Sequence, residues 1–161
     1  MSFKILELHN NTLKVFENGK VLVKGRIYPN KDEFYEKKCS NCRGYLRLIL
    51  NHKGKSKDYL VHRLVAYAYL NLDLENTKQV IDHQDRDKSN NFVSNLRIVT
   101  HQQNRFNTNA KGYSWYKRDK KWRAQIMVDG KYINLGLFEK EEDASKCYQD
   151  AKLIYHIIEH E

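Results

Sequence analysis

The chain has little of what would make it secreted, membrane-spanning or unfolded. One proline and seven glycines in 161 residues leave no flexible linker and no low-complexity segment. Three cysteines, an odd and small number, argue against a disulfide framework and fit a reducing compartment. No apolar run approaches the ~18 residues that span a bilayer, and "MSFKILELHNN" at the start lacks a signal-peptide core and cleavage site. The expectation is therefore a soluble, intracellular protein with no membrane partner. Acids are also under-represented: 20 Asp and Glu face 29 Lys and Arg, a formal charge of +9. Positive charge alone can serve solubility, but eleven tyrosines and two tryptophans interleaved with it favour a polyanion, most often nucleic acid.

The length suits one medium domain or two small ones. The first sixty residues read as short strands forming a small antiparallel sheet, with Asn18-Gly19 as a hairpin signal and His52 to Lys57 between two apolar runs. In "VHRLVAYAYLNL", Val61, Leu64, Val65 and Ala68 recur at helical spacing, which predicts a short amphipathic helix before Asn71. Near the C-terminus, "WRAQIMV" alternates Trp122, Ala124, Ile126 and Val128 against Arg123, Gln125 and Met127, and Asp129-Gly130 marks a tight hairpin into "KYINLGLF". Glu139, Glu141, Glu142 and Asp143 suit a helix N-terminus, and Ala144, Cys147, Tyr148, Ala151, Tyr155 and Ile158 trace one face of that helix. The fold class read from these patterns is α+β. Its last part is a three-stranded antiparallel sheet packed on one helix, the opposite sheet face, with Arg123 and Gln125, staying open. Trp115 and Trp122 follow the apolar parity and are assigned to the sheet-helix core.

The chemistry concentrates in "VIDHQDRDKSNNFVSNLRIVTHQQN", residues 80 to 104. Hard divalent cations prefer oxygen ligands and take one or two protein groups, with water and substrate phosphate filling the rest. Asp82 and the amide oxygen of Asn104 supply such a pair. His83 adds an imidazole able to take a proton from water near neutral pH. Adjacent strand residues point to opposite faces, so Asp82 and His83 share a site only if the strand bends there. As a bland reading, the segment is a polar loop rich in turn-forming Asn and Asp, with Asn90 and Asn91 doing no more than forming the turn.

"VHRLVAYAYL" followed by this stretch resembles the HNH endonucleases, especially the phage and intron-encoded homing type with its ββα-metal core, over residues 60 to 105. Asp-His, the internal Asn-Leu-Arg and the later Asn occur at the family spacing. The resemblance implies His83 as general base, Asp82 and Asn104 as ligands of one Mg²⁺ or Mn²⁺ ion, and Asn95 fixing the histidine-bearing loop. The motif often ends in histidine where this chain has Asn104. His101, three residues earlier on the expected helix, competes for the ligand role; Asn104 is favoured because its spacing matches the homing subtype and oxygen suits Mg²⁺. His62, opening the helix of the resemblance, could touch a phosphate or hydrogen-bond locally.

Residues 111 to 156 resemble the AP2-type DNA-binding domain, through Gly112, Lys121-Trp122, "LGLF" at 135 to 138 and the Ala/Tyr-spaced helix. That resemblance implies a sheet laid in the major groove. Ser114, Tyr116, Arg123, Gln125, Met127, Tyr132 and Asn134 are the groove-facing candidates. Lys111, Lys117, Arg118, Lys120 and Lys121, with Arg97 of the central segment, are candidates for further DNA contacts. Between Arg105 and Lys131 eight basic residues face two acids, Asp119 and Asp129. "CSNC" at 39 to 42 is half a zinc site whose second half is missing.

These expectations combine into two domains: 1–107, an N-terminal sheet plus nuclease core, and 108–161, the DNA-binding module. The function expected is metal-dependent cleavage of double-stranded DNA by a monomer or homodimer, in host cytoplasm or nucleus, with a phage or large-virus origin implied by resemblance. A non-catalytic DNA-binding or regulatory protein with a degenerate nuclease core is the alternative. Target sequence, and nicking versus double-strand cleavage, lie beyond the sequence.

Overall fold

A computed structural model describes residues 2–26, 31–52, 54–76 and 78–158. The chain divides into two compact units, Met1–His101 and Gln102–Glu161. The first boundary therefore lies within a helix that the sequence pattern assigned entirely to the nuclease part.

In the first unit, β1 (Phe3–Leu8), β2 (Asn11–Phe16), β3 (Val21–Lys24) and β4 (Phe34–Glu36) form an antiparallel sheet in that order. β2 and β3 show the period of a half-buried strand: Leu13, Val15, Val21 and Val23 point inward, while Lys14 turns outward over the Phe3 and Phe34 rings. A second sheet follows from β5 (Ser40–Cys42), β6 (Tyr45–His52) and β7 (Lys55–Leu60). The single small sheet expected over the first sixty residues is thus two sheets. The backbone reverses between β5 and β6 at Arg43 and Gly44, both at positive φ, and β6 pairs with β7 rather than with β3. Asn11 stitches the sheets together, its amide donating to the carbonyls of Leu8 and Asn51. Lys53 and the side chain of His52 fall outside the described residues, and with them part of the polar stretch expected between the two apolar runs.

Helix α1 (Val61–Tyr69) carries the core. Val61, Leu64, Val65 and Ala68, the face read from the sequence, are buried against Leu48 and Leu50 of β6 and against Leu13 and Val15 of β2. Tyr69 donates to the Val15 carbonyl and Arg63 to the carbonyls of Leu74 and Gln79, which ties down the segment leading to β8 (Val80–His83). A single 3₁₀ turn (Val93–Asn95) then leads into β9 (Leu96–Val99), antiparallel to β8, and α2 (His101–Phe106) follows directly. Strand, strand and helix thus occur in the order expected for a ββα core.

In the second unit, β10 (Tyr113–Tyr116), β11 (Lys121–Val128) and β12 (Lys131–Phe138) form an antiparallel sheet, with the Asp129-Gly130 turn between the last two strands. α3 (Glu141–Tyr155), with Glu141, Glu142 and Asp143 in its first turn, buries Ala144, Tyr148 and Ala151 against Ile126 and Leu135. Gly112 has φ +70, and a Cβ there would lie 2.0 Å from the Tyr148 ring, so only glycine lets the chain pass this close to α3. The apolar face of α3 ends at Ala151: Tyr155 is exposed. Trp115 departs from its core assignment. It is 47% exposed and lies edge-on to Trp122, because α3 packs mainly on β11 and β12 and leaves β10 at the margin.

Candidate active site in the first unit and polar sheet face in the second

The β8–β9 ladder holds Asp82, His83 and Arg97, three of the residues singled out in the sequence. Its register is uninterrupted, Asp82 opposite Arg97 and His83 opposite Leu96, so the bend expected between Asp82 and His83 is not a break in pairing. The two side chains leave opposite faces of a two-stranded ribbon, the most strongly twisted kind of sheet. Both are only 5% exposed.

On one face, both Nε and Nη2 of Arg97 donate to Oδ2 of Asp82, at 2.8 and 2.6 Å. The cross-strand register brings these opposite charges together. Arg97, expected among the DNA contacts, is therefore engaged with the proposed metal ligand, and its side chain is 18% exposed. A cation reaching this carboxylate would share it with the guanidinium. The donor type fits: a carboxylate is the oxygen ligand that Mg²⁺-type ions take, completing their shell with water and phosphate. Among the described residues no group of three His, Cys, Asp or Glu comes together as a protein-only cage, at CSNC or elsewhere.

On the other face, Nε2 of His83 lies 3.1 Å from Oδ1 of Asn91, itself buried. An amide oxygen only accepts, so Nε2 carries the proton and Nδ1 is the basic nitrogen. The sequence reading gave Asn91 no role beyond the turn. No local pattern marks it, because the contact depends on how the loop closes. That closure is the work of Asn95. Its carbonyl accepts from Gln84 N, its Oδ1 accepts from Asp85 N, and its Nδ2 donates to Asp85 Oδ1 and the Asn90 carbonyl. Asn90 donates in turn to Asp85 Oδ2, and this bond, then that from Asn95, holds the Asp85 carboxyl below the usual carboxylate range. From outside the loop, the β2–β3 turn supports Asn91: a Cβ on Gly19, at φ +84, would lie 2.6 Å from the Asn91 Cβ, and Val93 N donates to the Glu17 carbonyl.

Two further rings flank His83. His62 of α1 lies 5.1 Å away at 74°, and Tyr45 of β6 lies 5.9 Å from His83 and 4.9 Å from His62. His62 is 6% exposed, and burial first, then His83 and Arg63, lowers its pKa to about 3.

Asn104 and His101 both occur on α2, three residues apart and exposed. This geometry leaves the choice between them where the sequence left it.

A family model described as HNH endonuclease matches residues 59–106. The chain carries an HNH endonuclease domain. The HNH domain takes in α1, the β8–β9 ribbon and α2, with all of Asp82, His83, Asn91, Asn95, Arg97 and Asn104. The chain is similar to DNA endonuclease I-HmuI of Bacillus phage SP01, 42% identical over 69 residues, 43% of this chain and 38% of that protein. It is also similar to H-N-H endonuclease F-TflII of Escherichia phage T5, 29% identical over 84 residues, 52% of this chain and 44% of that one. The chain thus spans less than half the length of these curated relatives. A solved structure titled "DNA binding and cleavage by the HNH homing endonuclease I-HmuI" matches with TM-score 0.50 at 24% identity, covering 100% of this chain and 94% of that one, a likeness of fold.

In the second unit, the register sets Ser114 opposite Arg123, Tyr116 opposite Lys121, Met127 opposite Tyr132 and Gln125 opposite Asn134. These residues therefore share the sheet face expected to be polar. An irregularity between Ala124 and Gln125 leaves Leu135 unpaired in the ladder, and Asn134 Oδ1 accepts from Gly136 N beside it. Arg123 lays its guanidinium over the Tyr116 ring at 4.7 Å. Lys111, Lys117 and Lys120 are exposed, whereas Arg118 is paired with Asp119 and Lys121 with Glu139 on the surface.

Proposed function

We propose that the chain is a metal-dependent DNA endonuclease in which His83 is the general base and Asp82 and Asn104 hold one divalent cation, Mg²⁺ or Mn²⁺. The observation that carries the reading is His83 itself: a buried imidazole within the HNH domain, its Nε2 proton directed to Asn91, which makes Nδ1 the proton acceptor. Both phage relatives are named as endonucleases.

Each residue has a distinct task. His83 takes a proton from the attacking water at Nδ1. Asn95 fixes the loop that carries Asn91, so the base keeps one orientation. Arg97 orients the Asp82 carboxylate and supplies positive charge near the reacting phosphate. The strand pairing ends just past His83, where Gln84 N donates to the Asn95 carbonyl, and a phosphodiester lying across that end would meet both faces. The cation, when bound, would polarise the phosphate and offset charge developing on the leaving 3′ oxygen. The motif spacing supports Asn104 over His101 as the second ligand.

For the second unit we propose a role in binding duplex DNA in the manner of AP2-type sheets. Arg123 and Gln125 would read base edges, and the exposed Lys111, Lys117 and Lys120 would neutralise phosphates. Support comes from the shared face of these residues in the sheet register.

The test is cleavage of plasmid carrying candidate target sites, with Mg²⁺ or Mn²⁺ and with chelator. Metal-dependent nicking or linearisation is expected, and His83→Ala should reduce it about 10²- to 10⁴-fold while leaving gel retardation intact. Undiminished cutting by His83→Ala would remove the general-base assignment. Retardation without cleavage by the unaltered chain would favour the non-catalytic alternative.

A further inference from the structure

His62 has no part in the chemistry above, yet it packs directly against the general base. It occupies the second position of α1, a helix most of whose residues are buried, and is 6% exposed. Its Nδ1 is buried without a hydrogen-bond partner. A buried polar atom left unpaired is a cost that an aliphatic or phenyl side chain would avoid, so stability alone does not account for a histidine here. Its ring meets that of His83 nearly perpendicularly, and Tyr45 lies against both.

We propose that His62 is a positioning residue for His83: its uncharged ring, fixed on α1 and backed by Tyr45, holds the His83 imidazole so that Nε2 stays on Asn91 and Nδ1 is kept for the reacting water. The hydrogen bond to Asn91 holds the Nε2 end of the imidazole, and the ring contacts from His62 and Tyr45 add restraint against rotation about Cβ–Cγ. The His62 ring, 5.1 Å away at 74°, crowds the space that such a rotation would sweep. An uncharged neighbour also suits a base that gains a proton, because a second cation beside it would oppose the added charge. Burial keeps His62 uncharged throughout the neutral range. The last clause of the proposal, concerning the water, rests on the nuclease reading; the orientation of His83 does not.

Two measurements on the full chain test it. With ¹⁵N-labelled histidine, long-range ¹H–¹⁵N spectra of the unaltered protein should show His83 as one Nε2–H tautomer. His62→Ala should give averaged tautomers, and His62→Phe, which retains a neutral aromatic wall, should restore most of the single form. In cleavage assays His62→Ala should lower kcat about 10- to 100-fold, the scale of a slightly misplaced catalytic group, with KM nearly unchanged. His62→Phe should recover most of that loss. Tyr45→Leu, which loosens the same stack from β6, should average the tautomers too, and it serves if the His62 variants do not fold. The proposal is overturned if His62→Ala leaves tautomer and kcat unchanged, or if His62→Phe, folded normally, is as impaired as His62→Ala. An unaltered chain that cuts no DNA would defeat the nuclease reading, while the tautomer spectra would still decide the role of His62.

Discussion

Two arginine–aspartate pairs of almost equal length occupy opposite extremes of environment. Arg97 and Asp82 meet at 2.6 Å with side chains 18% and 6% exposed, whereas Arg118 and Asp119 meet at 2.7 Å with side chains 76% and 30% exposed. Distance does not distinguish them; solvent does. In the first pair each charge replaces part of what water no longer supplies to the other, so loss of one partner costs the other a charged hydrogen bond in a buried setting. In the second, water screens both charges, and the pair contributes little to folding. The same contrast separates the two units. The first buries its polar chemistry around a helix and uses it to hold geometry, and the second spreads its polar chemistry over an open sheet face, where it is available to a polyanion.

The strongest way to break this contrast is Arg97→Leu. It should destabilise the chain by about 3–5 kcal/mol, because the buried Asp82 carboxylate loses both hydrogen bonds from its cationic partner. Chemical denaturation would measure it, and a loss under about 1 kcal/mol would place this pair with the surface ones. Double replacement of Arg97 and Asp82 by apolar residues should recover stability without recovering cleavage.

Acid titration comes next. His62 has a folded pKa of about 3 against an ordinary 6.5. Between those values the unfolded chain binds more protons, so the stabilising contribution is complete above about pH 6.5 and is lost as pH falls toward 3. Over that window His62→Phe should lose less stability than the unaltered chain, by a few kcal/mol, in denaturant melts. Parallel pH profiles would show that His62 is not held neutral by its surroundings.

A smaller effect is expected from Gly19→Ala. The strained φ and the approach to Asn91 should cost about 1–3 kcal/mol. The His83 tautomer should also become less uniform, since the turn supports the residue that accepts the hydrogen bond from its Nε2.

The smallest effect on stability belongs to Arg118→Ala, about 0–1 kcal/mol. The proposed DNA contact of Arg118 should show instead in the salt dependence of binding, whose log-log slope should flatten by about 0.9 when one phosphate is no longer neutralised. An unchanged slope would remove Arg118 from the interface.

Much of this architecture is legible in the sequence because it follows local rules. The hairpins at Asn18-Gly19 and Asp129-Gly130, the apolar face of α1 and the acidic start of α3 each follow from a period or a turn preference over a few residues. The Arg97–Asp82 pair was within reach, since counting the β8–β9 register places the two opposite each other. Trp115 was misassigned because strand parity tells which side a residue faces but not how far a helix extends across that side. Asn91 was passed over because a turn-forming asparagine and one that hydrogen-bonds a buried histidine look alike in one dimension.

What the sequence by itself determined is therefore the inventory and its local setting: an Asp-His pair at the end of a strand, an asparagine poised to clamp the following loop, a basic alternating sheet and a buried helical face. Short-range sterics and hydrophobic periodicity suffice for these. Only the tertiary structure decided which groups confront each other: Arg97 with Asp82, Asn91 and His62 with His83, Gly19 beneath Asn91. Such contacts depend on how separate elements close around one core, and burial there turns ordinary polar residues into fixed ones, because each must keep its partner once water is excluded.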